Sequence, residues 1–165
     1  MLYTSAEAAK LLRRLNDEKG TLENMESQSS TFLASAGEDI ESVRPDYNYF
    51  ETRDKIDELE SKIRKVKHAL NIFNVSTQVE GFDMTIDQLL IYIPQLSNLR
   101  TKLFTMQNRL KKQRENNYAG VIDYRYINYD LEAVKNDYAK ISDELARAQT
   151  ALDVLNNSAK LEIDI

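Results

Sequence analysis

The chain holds one histidine, His68 in the run KIRKVKHAL, and it follows a row of carboxylates, Glu51, Asp54, Asp57, Glu58 and Glu60. A second acidic pair, Asp143 and Glu144, comes later. Neighbouring carboxylates can divide acid and base work when their surroundings push their pKa values apart. These ones interleave with Arg53, Lys55, Lys62 and Arg64, which is the spacing of i,i+4 ion pairs on a solvated helix surface. A hydrolase built on Glu58 or Glu144 is therefore a remote alternative. One histidine and no cysteine leave no Cys–His pair and no zinc ligand set. Glu-x-x-His, the ligand pair of di-metal helical bundles, does not occur, and neither does a phosphate-binding Gly-rich loop or a Gly-x-Ser-x-Gly elbow. The expectation is a non-enzymatic protein with no catalytic residues, no cofactor and no metal. His68 reads as structural or solvated, near a helix C-terminus, where a cation is favourable.

The elements that carry these residues are legible in composition and period. Thirty per cent of the residues are charged, with four Gly and two Pro in 165 positions, a mix that favours long helices over strands needing frequent turns. The length fits one domain. No apolar run reaches the roughly 18 residues of a membrane span. The start MLYTSAEAAKLLRRL turns polar early, which reads as a cytoplasmic chain. The net charge of −5 argues against a dedicated nucleic-acid binder.

Four helices follow from hydrophobic spacing. The fourth, about 129–156, shows Leu131, Tyr138, Leu145 and Leu152 seven apart, with Val134, Ile141, Ala148 and Leu155 between them. That is an a/d seam over four heptads. The second, about 47–73, repeats it with Tyr49, Thr52, Ile56, Leu59, Ile63, Val66, Leu70 and Phe73. Asn128 and Asp46 stand in matching places as expected N-caps. The first and third helices open with the capping-box spellings Thr4-Ser5-Ala6-Glu7 and Thr85-Ile86-Asp87-Gln88. In the third, Leu89, Leu96, Leu103 and Leu110 form one row, and Pro94 is expected to bend or interrupt the first turns.

The chain also repeats a phrase, LNIFNVSTQVE at 70–80 and LDVLNNSAKLE at 152–162. Together with the matching helices this divides it into two halves, 1–81 and 82–165. The predicted fold is mainly all-α: two duplicated αα-hairpins forming an antiparallel four-helix bundle or coiled coil. Asn74 and Asn156 are expected to end their helices in the left-handed conformation. Alternating residues after each predict two short strands that pair with each other.

Residues 27–45 read as a long loop, and 115–128 as its counterpart, with a strand hinted by Val121, Tyr124 and Tyr126. Tyr47, Tyr49, Tyr118, Tyr124, Tyr126 and Tyr129 should gather where these connections lie. Two readings stand: the rings pack the loops onto the bundle end, or they form a partner surface, since Tyr is enriched at interfaces. Two basic runs, Lys62, Arg64, Lys65, Lys67 and Arg109, Lys111, Lys112, Arg114, are placed toward helix C-termini at opposite ends of the bundle.

The stretches LYTSAEAAKLLRRL, LNIFNVSTQVEGFDMTIDQLL and ELARAQTALDVLNNSAKLEI resemble a family of small bacterial helical proteins labelled septicolysin-like. The family pattern has an Asn-ended helix, a short strand, a capped helix start and a final Asn often followed by Trp; here Asn157 replaces that Trp. The resemblance implies a helical bundle with short strands, and it brings no catalytic residues. Its label hints at a pore-forming cytolysin, so a membrane-active helical protein is the alternative reading. The leading one is a protein that acts through contact with a protein partner or a second copy of itself, with membrane and nucleic acid less favoured.

Overall fold

The computed structural model describes residues 1–116, 120 and 122–165. The expected contributions of Tyr118 and Val121 lie outside the described residues. The protein is predominantly helical and forms two compact units, one of Met1–Ser76 with Val154–Ile165, the other of Thr77–Asp153.

The first unit begins with β1 (Leu2–Thr4), then α1 (Ser5–Ser29), the short α2 (Ile40–Val43) and α3 (Tyr49–Ser76). At Thr4 the capping box forms as spelled: its hydroxyl accepts from the Glu7 N–H at 3.2 Å, and the Glu7 carboxylate accepts from the Thr4 N–H at 2.8 Å. These hydrogen bonds hold the Glu7 carboxyl below its ordinary pKa. α1 packs against α3 through Ala8, Leu11 and Leu15 on one helix and Thr52, Ile56, Leu59, Ile63, Val66 and Phe73 on the other. The second seam is thus buried as its heptads predict, save that Leu70 is half-buried and Tyr49 exposed. The 27–45 connection is shorter than expected. α1 continues to Ser29, and Asp39 caps α2 by accepting from the Glu41 N–H.

The second unit holds α4 (Ile86–Gln107), β2 (Lys112–Asn116), β3 (Ile122–Tyr126) and most of α5 (Leu131–Ser158). α4 has the same capping box, Thr85 with Gln88, and buries Ile86, Leu89, Leu96 and Leu103. It runs through Pro94 as one helix, so of the two expected effects the proline does not interrupt it. β2 and β3 pair antiparallel, with Lys112 opposite Tyr126 and Arg114 opposite Tyr124.

Four further expectations are corrected. Helices α3 and α5 are capped by Asn48 and Asp130, two residues beyond Asp46 and Asn128. Each side chain accepts from two N–H groups of the next turn. Asn74 and Asn156 do not stop their helices, and among the described residues no non-glycine has positive φ. The helices run on to Ser76 and Ser158, whose hydroxyls donate to the Ile72 and Val154 carbonyls at 2.7 Å, a back-bond within the last turn. The two post-helix segments do not pair with each other. β4 (Lys160–Glu162) pairs antiparallel with β1, Tyr3 lying opposite Leu161, while the other segment makes an isolated bridge from Gln78 to Thr85. Fourthly, Arg109, Lys111, Lys112 and Arg114 follow the end of α4 and enter β2 instead of closing a helix, and Leu110 leaves the seam to lie exposed. Lys62–Lys67 and His68 also sit too far before Ser76 to meet the α3 terminus, since the dipole acts only within the last turn.

Candidate interaction surface

Among the described residues no group of three or more His, Cys, Asp and Glu side chains is placed to hold a metal ion. The carboxylate rows behave as surface pairs. Arg53 meets Asp57 at 3.1 Å and Arg64 meets Glu60 at 3.8 Å, both i,i+4, and Lys19 bridges to Glu60 at 2.7 Å across the α1–α3 pair. His68 is exposed and lines a groove of about 450 Å³ between the last turns of α3 and β4, beside Lys65, Phe73, Leu161 and Glu162.

Of the six tyrosines read from sequence, the five among the described residues fall into different settings. In the first unit Tyr47 donates from its hydroxyl to Glu26 Oε1 at 2.7 Å. That bond to a carboxylate raises its pKa above the usual phenol value. Tyr49 is exposed and sits edge-on to Phe50, ring centroids 5.4 Å apart. In the second unit Tyr129 is half-buried and donates to the Met106 carbonyl at 2.7 Å, tying the start of α5 to the end of α4. Tyr47 and Tyr129 therefore pack their connections down, which is the plainer of the two readings.

Tyr124 and Tyr126 do something else. Successive side chains on a strand point to opposite faces, so Ile122, Tyr124 and Tyr126 share one face of the β2–β3 ribbon. All three are exposed, at 54%, 46% and 61%. The two rings lie 6.5 Å apart, and Lys112 Nζ stands 3.9 Å from the centroid of Tyr124 and 5.6 Å from that of Tyr126. A cation over aromatic faces contributes about 0.5–1 kcal/mol at an exposed site, so it orders the rings without covering them. On the opposite face Arg125 pairs with Glu115, which raises the pKa of the guanidinium. A groove of about 520 Å³ runs beside the ribbon between Leu110, Gln113, Tyr126 and Tyr129.

No protein-family model matches the chain, and no curated protein matches it. Among solved structures, a functionally unknown conserved protein from Corynebacterium diphtheriae is similar over 98% of this chain and 100% of its own, with a TM-score of 0.63 and 17% identity. At that identity the likeness speaks to the fold alone. No helix among the described residues is long and apolar enough to cross a membrane.

Strand β2 was missed from sequence. Its residues KQREN alternate charged and polar types on both faces, so neither face shows the apolar period that marks a strand. The one available signal was Gly120, whose φ of 74° suits a turn between strands. Sequence spacing also missed the cross-helix contacts of the second unit. There Arg100 reaches Ser142 and Tyr138 at 3.1 and 3.2 Å, and Phe104 lies against Tyr138.

Proposed function

We propose that this is a non-enzymatic helical protein that works by protein–protein contact or self-assembly. In this reading its αα-hairpins derive from one duplicated unit and join through their coiled-coil seams as an antiparallel four-helix bundle, within a chain or between chains. The recurring caps support the duplication, since Thr4 and Thr85, then Asn48 and Asp130, recur about half a chain apart. The observation that carries the contact reading is the exposure of Ile122, Tyr124 and Tyr126 together on one face of the ribbon. An isolated two-stranded hairpin is marginal in water, and leaving two tyrosines and an isoleucine uncovered is costly unless a partner buries them. Of the six tyrosines read from sequence as a partner surface, this proposal rests on Tyr124 and Tyr126. The protein is read as cytoplasmic.

The test is affinity purification from native lysate with the natural chain and with a Tyr124→Ser, Tyr126→Ser variant of unchanged helix content. A species retained by the first and lost by the second is expected. Recovery of nothing, with no self-association at any concentration, would count decisively against the reading.

A further inference from the structure

The ribbon face is cationic as well as aromatic. Lys112 and Arg114 lie opposite Tyr126 and Tyr124 in the register, so their side chains share that face with the rings. This is a basic, apolar surface on a chain whose net charge is −5. The α1–α3 connection has the complementary character. Leu33 is 96% exposed and Ile40 54%; Ile40 is flanked by Glu38, Asp39 and Glu41, and Leu33 lies five residues before Glu38. Only Arg44 offsets these, through its pair with Glu41 at 2.7 Å.

From this match, and resting on the contact reading above, we infer that the ribbon docks on the α1–α3 connection of a second copy of the chain. Leu33 and Ile40 supply the apolar filling against Ile122, Tyr124 and Tyr126, while Lys112 and Arg114 face Glu38 and Asp39. The surfaces differ, so each copy carries both halves of the interface. Such a heterologous contact closes into a ring, or into a pair by reciprocal exchange, where its geometry permits, and otherwise extends. Opposite charges at the rim set register and suppress wrong partners, and salt weakens them. An acidic segment of another protein and a single-stranded nucleic acid are the other occupants that an aromatic, basic face suits.

Sedimentation of the full chain from micromolar to millimolar concentration tests the assignment, at low and high salt. The variants are K112E with R114E, and E38K with D39N, whose asparagine can keep the α2 cap that Asp39 makes. Mass above 19.1 kDa is expected for the natural chain. Each variant alone should lose association on the order of tenfold or more in Kd, because like charges then face each other. Mixing the two variants should restore it, with the reversed charges meeting again. Circular dichroism confirms that both variants keep their helices. A natural chain that stays monomeric throughout, or association that neither reversal weakens and mixing does not restore, overturns the inference. If the monomeric chain instead retains an acidic peptide through Tyr124 and Tyr126, the second-copy assignment fails and the contact reading survives. Retention of a single-stranded oligonucleotide and no protein sinks both.

Discussion

The Tyr92 hydroxyl donates a 2.6 Å hydrogen bond to Glu144 Oε1, joining α4 to α5 across 52 positions of sequence. The carboxylate acceptor, with some burial, raises the Tyr92 pKa above the usual 10.0. A group whose pKa is raised on folding contributes stability that is full below its unfolded value and is lost as pH rises through the folded one. Tyr92→Phe should therefore cost about 1 kcal/mol near neutral pH, the scale of one partly exposed hydrogen bond to a charged group. Its deficit against the natural chain should shrink as pH climbs past the ordinary phenol range. Thermal unfolding of both proteins at a series of alkaline pH values checks this; a deficit independent of pH would mean the bond does not couple to folding.

The opposite sign belongs to Glu60. Its hydrogen bond and ion pair with Lys19 hold its carboxyl below the ordinary value of 4.5. Depression on folding gives stability that is present above the unfolded value and lost as pH falls through the folded one. Lys19→Met should make acid unfolding begin at higher pH, by a small and salt-sensitive margin because the pair is partly exposed. Acid titrations followed by circular dichroism, with and without added salt, read that shift directly.

Adjacent leucines in α4 separate core from surface. Leu89 is fully buried, whereas Leu90 is 43% exposed. Leu89→Ala removes a packed side chain and leaves a cavity, with an expected cost of about 2–4 kcal/mol. Leu90→Ala should stay within about 1 kcal/mol, the range of surface changes. Chemical denaturation gives both numbers, and equal costs would show that the α4 row is packed differently.

How far the fold could be read depended on what kind of physics wrote each element. Seams repeat over many residues, so Ile56, Leu59, Ile63 and Val66 announce their buried face several times. Capping boxes pair two residue types at fixed spacing, so Thr4 with Glu7 and Thr85 with Gln88 are legible too. Helix ends are weaker signals. Asn74 and Asn156 tolerate a left-handed stop, yet each helix runs on to a serine whose hydroxyl bonds back to the preceding turn. Strand partners are not local at all. Nothing in LEIDI says that it pairs with LYT at the far end of the chain. Of the candidate surface, Tyr124 and Tyr126 could be named from sequence, but Lys112 against their rings required β2, which carries no period.

That β1–β4 pairing makes the last prediction. The Met1 N–H donates to the Ile163 carbonyl and the Ile163 N–H to the Met1 carbonyl, both at 2.9 Å. In an antiparallel ladder such hydrogen-bonded pairs alternate with unbonded ones, so Tyr3 and Leu161 form the next bonded pair, and Leu2 and Glu162 point their amides away. Hydrogen exchange should find Tyr3, Leu161 and Ile163 protected and Leu2 and Glu162 fast. Side chains reinforce the pairing, because Leu161 and Ile163 are 7% and 1% exposed. Ile163→Ala should cost about 2–4 kcal/mol and should also speed exchange at Tyr3, since the strand is held by packing beneath it as much as by its few backbone bonds. Loss of stability with Tyr3 protection unchanged would show that the ladder stands without that side chain.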